Sequence, residues 1–131
     1  MGSQQLLLII VGVMVIGIMI AVGIVFFRDH ASATNRDAIA NDLVHAASNA
    51  QLYKRRPKSQ GGGGGSFVGF QLETVFRTLS TLNGTFSLAN TPTDSKVVME
   101  GIGKEVGHDT VAPVKLSIRV LSERIEVVEV N

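Results

Sequence analysis

From Leu6 to Phe27 the chain reads LLLIIVGVMVIGIMIAVGIVFF, 22 residues without a charge, a proline or a polar side chain. No other feature limits the fold as strongly. About 20 apolar residues in an α-helix match the ~30 Å hydrocarbon core of a bilayer. An uninterrupted run of about 18 or more reads as a membrane-crossing helix rather than a core helix. A cleavable signal peptide fits poorly, because the apolar stretch is too long, nothing basic precedes it and no A-x-A site closes it. The whole chain has 131 residues, room for one domain with an appendage. It contains no cysteine, which excludes disulfides, thiolate metal sites and a cysteine nucleophile. Twelve Lys and Arg against 11 Asp and Glu leave a net charge of +1, too balanced for wholesale nucleic-acid binding.

Residues 28–58 are polar and carry six basic against three acidic side chains. Ile39, Leu43, Ala46, Ala47, Ala50 and Tyr53 recur every three or four positions, the narrow apolar stripe of an amphipathic helix. No Gly or Pro interrupts residues 28–56, and Pro57 disfavours helix for the residue before it, so the helix ends near Arg55 or Arg56. Residues 1–56 therefore read as one long helix of ~50 residues, roughly 75 Å at ~1.5 Å per residue, with 6–27 as its membrane-spanning or buried part. Residues 57–66 contain five consecutive glycines, Gly61–Gly65, and read as a flexible linker and domain boundary.

Residues 67–131 read as a small globular domain. Leu72, Val75, Phe76 and Leu79 sit at helical spacing and predict a short helix from about Gln71 to Thr81. Asn83-Gly84 is a turn signal. Thr85–Ala89, Lys96–Glu100, Val114–Leu121 and Arg124–Val130 read as strands, the last two joined by a tight hairpin at Ser122-Glu123. In the third strand Val114, Leu116, Ile118 and Val120 share a face; in the fourth, Ile125, Val127 and Glu129 do. The expected class is α+β: one long N-terminal helix, apolar then amphipathic, followed by an antiparallel sheet of about four strands. A sheet domain of this size buries little surface alone, so it is expected to lean on the Ile39, Leu43 and Ala50 stripe.

Motifs for chemistry are lacking. His30, His45 and His108 have no carboxylate or second histidine at ligand spacing and read as solvated. GIGKEVG at 101–107 has the spacing G-x-G-x-x-x-G in a β-rich stretch, so it reads as a loop rather than a phosphate cradle. With no G-x-S-x-G, H-E-x-x-H or Walker lysine, the chain is not expected to be an enzyme, to hold a cofactor or metal, or to take a small-molecule substrate. The start MGSQQL lacks the Ser or Thr that myristoylation wants at position 6. Asn83-Gly84-Thr85 is an N-glycosylation sequon as well as a turn, expected at the surface. KRRPK at 54–58 reads as a solvated helix end whose cations offset the helix dipole, ahead of a contact with lipid or nucleic acid.

The polar lead Met1–Gln5, the run Leu6–Phe27 and the continuation NRDAIANDLVHAASNAQLYKRR at 35–56 together resemble a type IV pilin. The resemblance covers the N-terminal 56 or so residues well and the sheet loosely. It implies a mature form whose basic leader has been removed, with an N-methylated Met1. It implies a filament subunit: a helical homopolymer at the cell surface, held in the inner membrane beforehand and handled by a pilus assembly machinery. Filament-core packing then falls to Leu6, Ile9, Gly12, Val13, Ile16, Gly17, Ile20, Gly23, Ile24 and Phe27. Gly12, Gly17 and Gly23 form no GxxxG motif but leave shallow places where helices can approach. Two positions depart from the family. Gln5 stands where pilins usually carry Glu, and Val22 where many bacterial pilins carry Pro. Ser3, Gln4 and Gln5 are the only polar side chains before Arg28, and in a filament core they need hydrogen-bond partners on a neighbour.

Two alternatives stand beside this one. The chain could be a minor pilin or secretion pseudopilin, or a plain single-span membrane protein with a small soluble domain. Arg28 and Arg36 follow the apolar run and nothing basic precedes it, which taken literally places the C-terminus in the cytoplasm. A removed basic leader cancels that argument.

Overall fold

The computed structural model describes residues 2–107 and 111–130. One helix, α1 (Gly2–Arg55), runs without a break for 54 residues. Its lack of proline explains the unbroken ladder, and the glycines within it weaken the helix without ending it. Four strands follow: β1 (Gly84–Leu88), β2 (Lys96–Val106), β3 (Pro113–Leu121) and β4 (Ile125–Glu129). They form one antiparallel meander in the order β1-β2-β3-β4. The chain makes two compact units, Met1–Ala31 and Ser32–Asn131, so the boundary falls inside α1 and not at the glycine run.

The second unit has a single core. Ile39, Leu43, Ala46, Ala47 and Ala50 of α1 are buried with Phe86, Val97, Met99 and the β3 face Val114, Leu116, Ile118 and Val120. Phe67, Phe70 and Leu72 complete it. The stripe that the three- and four-residue spacing predicted is thus the surface on which the sheet packs. Close packing needs glycine on β2. A Cβ on Gly101 would lie 2.6 Å from Ile39 Cγ2, and one on Gly103 would lie 2.1 Å from Asn35 Oδ1. The stretch expected to be a loop at 101–107 is therefore mostly strand, and its glycines let a helix approach a sheet.

The glycine run also differs from a flexible hinge. It folds back over the end of α1 and supplies donors to carbonyls that a helix C-terminus leaves unpaired. The amides of Gly63, Gly65 and Gly64 donate to the carbonyls of Tyr53 (2.8 Å), Lys54 (2.7 Å) and Arg56 (2.9 Å). Gly65 takes φ +95°, a conformation other residues rarely adopt, and a Cβ on Gly63 would overlap the Ser66 carbonyl oxygen at 1.8 Å.

The helix expected over Gln71–Thr81 is a single 3-10 turn, Leu72–Thr74. Its apolar positions still face inward, with Leu72 buried and Val75, Phe76 and Leu79 packed against the core. The helix stops because the backbone of 79–81 is taken by β1. Phe86 N–H donates to the Leu79 carbonyl (2.7 Å), Thr81 N–H donates to the Gly84 carbonyl (2.7 Å), and Phe76 stacks on Phe86 at 4.7 Å.

Candidate functional site

Residues 6–27 supply the candidate surface. Leucine, isoleucine and valine here are held by an ordinary helical ladder, and every one of these side chains is exposed. The large apolar ones range from 44% exposure at Val15 to 75% at Phe27. Among the described residues, no buried core residue precedes Ile39. A helix that is apolar around its whole circumference belongs in a protein core or a bilayer, and this stretch of α1 is long and apolar enough to cross a membrane.

All ten positions expected to pack in a filament core, from Leu6 to Phe27, lie on this exposed surface. Its glycines are not required by any close contact among the described residues. A Cβ built at Gly12, Gly17 or Gly23 meets nothing within 4 Å. At ~100° and ~1.5 Å per residue, Gly12 and Gly23 lie within about 20° of each other and ~17 Å apart along the axis, while Gly17 faces elsewhere. Gly12 and Gly23 are thus two notches on one side. Ser3, Gln4 and Gln5 occupy the first turns of α1 and are exposed. Met1, the expected methylation site, lies outside the described residues, as does His108.

Asn83 is half-buried instead of standing free at the surface. Its Nδ2, the atom a glycan would use, donates to Asp42 Oδ2 (2.9 Å), and its carbonyl accepts from Asn35 Nδ2 (2.9 Å). These bonds tie the turn before β1 to α1. Among the other candidates, His45 is exposed beside Asn49 on α1. No group of three or more metal-ligating side chains occurs among the described residues.

The KRRPK segment acquires neighbours that its sequence does not announce. Lys54 Nζ hydrogen-bonds Ser122 Oγ in the β3–β4 turn and lies 4.9 Å from the Phe67 ring centre. Lys96 pairs across β2–β3 with Leu121, the residue before that turn, and Arg124 closes the turn by accepting the Leu121 amide (2.8 Å). Lys54 is thereby tied to the β3–β4 turn at one end of the second unit. No local signal could have found this, because Lys54 and Ser122 lie 68 positions apart in the chain.

Comparison with known proteins finds no family model, no curated protein and no solved structure that matches this chain.

Proposed function

We propose that the chain is a structural subunit, of the major-pilin kind, in an extracellular pilus-like filament, and that it waits in the inner membrane before assembly. The observation that carries this reading is the apolar helix surface 6–27, on which every large apolar side chain is exposed. Lipid covers such a helix in a membrane. Outside a membrane, only helices of its own kind do. Burial is worth ~25 cal/mol per Å² of apolar surface, so 22 such residues contribute tens of kcal/mol gross per subunit. The notches at Gly12 and Gly23 allow a neighbouring helix close approach on one side. Where the two partners of such a contact use different surfaces and its rotation closes no ring, the contact propagates as a helical filament. The second unit, with its own core, then forms the outer layer.

In this arrangement Ser3, Gln4 and Gln5 enter a low-dielectric core and bond to a neighbour's N-terminal backbone. Gln5 is neutral and takes a hydrogen bond where a Glu would form an ion pair. The competing reading, a single-span membrane protein, rests on the same helix and on Arg28 and Arg36 following it. Negative-stain microscopy separates the two. Protein sheared from the surface of producing cells, or freed of detergent, is expected to form uniform filaments. Recovery only as a dispersed, detergent-dependent membrane protein overturns the filament reading.

A further inference from the structure

We propose that β4 is a docking edge for a second copy of this chain, antiparallel to itself about a two-fold axis at Val127. This inference is independent of the filament reading and concerns a different surface. The sheet has two edge strands, β1 and β4. The outer side of β1 is taken by residues 79–81. Phe86 N–H donates to the Leu79 carbonyl, Thr81 N–H donates to the Gly84 carbonyl, and Ser80 bridges Thr85. Among the described residues, β4 pairs with β3 alone. Leu121 N–H donates to the Arg124 carbonyl and Val130 N–H to the Lys115 carbonyl. Backbone groups alternate sides along a strand. Arg124, Glu126, Val128 and Val130 therefore direct theirs to β3, and Ile125, Val127 and Glu129 turn theirs outward.

Proteins blunt open edges with lysine, proline, a bulge or free charge. β4 contains neither Lys nor Pro, and its register with β3 is continuous. Its two carboxylates are engaged within the unit, Glu126 by Arg119 (3.5 Å) and Arg124 (2.8 Å), and Glu129 by Arg36. Val127, Val128 and Val130 are exposed. The order of residues along this edge selects a second copy as its occupant. With the two-fold at Val127, Ile125, Val127 and Glu129 stand opposite Glu129, Val127 and Ile125 of the second copy. Each of these pairs exchanges two backbone bonds. Glu126 then faces Val128 on both sides of the axis, so no glutamate meets another. A two-fold at Glu126 or at Glu129 sets like charges directly opposite, which is unfavourable. The contact is isologous and closes after two copies. One pair of short strands buries less than the ~1,000 Å² of a stable interface, so the pairing is weak and concentration-dependent.

The chain has no cysteine, so a single introduced thiol reports the contact. The test is copper-catalysed air oxidation of Val127→Cys in the full chain, in neutral-detergent micelles at high protein concentration. Val130→Cys is the control, since Val130 lies just beyond β4 with nearly the same exposure, 53% against 54% at Val127. A hydrogen-bonded antiparallel pair holds its Cα atoms ~5.5 Å apart, within disulfide reach. In the same register the two copies of residue 130 lie about 20 Å apart. With rates normalised to alkylation by iodoacetamide, Val127→Cys is expected to form the disulfide dimer at least roughly tenfold faster than Val130→Cys. Adding Val128→Lys to Val127→Cys sets a cation opposite Glu126 and is expected to speed dimer formation about fivefold, whereas Val128→Glu sets like charges opposite and slows it about as much. No dimer from Val127→Cys, equal rates at positions 127 and 130, or the same response to lysine and glutamate overturns the proposal.

Discussion

The two halves of α1 share one backbone and have opposite fates. Residues 6–27 expose every side chain, and residues 39–50 bury Ile39, Leu43, Ala46, Ala47 and Ala50 under a sheet. Glycine makes the same contrast. Gly12, Gly17 and Gly23 face open space, whereas Gly101 and Gly103 face Ile39 and Asn35 too closely for any side chain. A helical ladder is satisfied within its own segment, so it forms whether or not its surface has a partner. What covers the surface is a separate question, and within the second unit the sheet answers it for residues 39–50.

A charge on residues 6–27 is expected to have the largest effect. Ile16→Asp puts an unpaired carboxylate among apolar helices at several kcal/mol per subunit. Filaments are expected to vanish by microscopy, while the second unit melts at the parent temperature. Normal-length filaments from this variant would sink the idea that this face is buried on assembly.

Leu43→Ala asks the reverse of the covered half. Leu43 is 1% exposed, and truncating a buried leucine costs about 2–5 kcal/mol. The denaturant midpoint of the second unit should fall accordingly, with the helicity of residues 6–27 unchanged. Gly103→Ala is expected to cost about 1–3 kcal/mol through overpacking against Asn35 and Ile39. Gly12→Ala should have the opposite sign in the dispersed chain, raising helix stability by up to ~1 kcal/mol, and should still weaken filaments by filling a notch. If both alanine variants shift the dispersed chain alike, as read by circular dichroism, the two classes of glycine are not distinct. Gln5→Leu is expected to do least. It removes an amide together with its need for a partner, which is nearly neutral, so filament yield should stay within about twofold of the parent.

Contributions from surface ion pairs are smaller still. The pairs Lys115–Glu100 (3.3 Å) and Arg119–Glu126 (3.5 Å) lie on partly exposed side chains of the sheet, where such pairs contribute about 0–1 kcal/mol. Arg36–Glu129 ties β4 to α1 and leaves Arg36 Nε buried without a hydrogen-bond partner.

Periodicity located the long helix to within a residue or two of Arg55, and the alternation in VKLSIRVL named the four β3 residues that are buried. Both are local patterns whose period alone identifies the element. It failed where one pattern admits two backbones. Leu72, Val75, Phe76 and Leu79 are core residues in either a helix or a turn-rich segment, and the competing bonds to Gly84 and Phe86 decided for the turns. β2 continues through GIGKEV because β1 pairs with Gly101 and Gly103, while β3 pairs with Gly101 and Ile102 and again with Val106. Asn83 read as a surface turn and is instead held by Asp42 and Asn35, residues more than 40 positions away.

Length, hydropathy and the absence of proline in 2–55 determined by themselves that this chain carries one long helix with an apolar surface, because those constraints act within a few residues along the backbone. Glycine content alone could not say whether 61–65 is a tether or a cap. That depended on whether the carbonyls of Tyr53, Lys54 and Arg56 were within reach of its amides. Nor could charge along the sequence place Lys54 against Ser122 and Phe67. Only the tertiary structure decided these points, because each requires two segments distant in the chain to meet at a register that packing, and not local preference, selects.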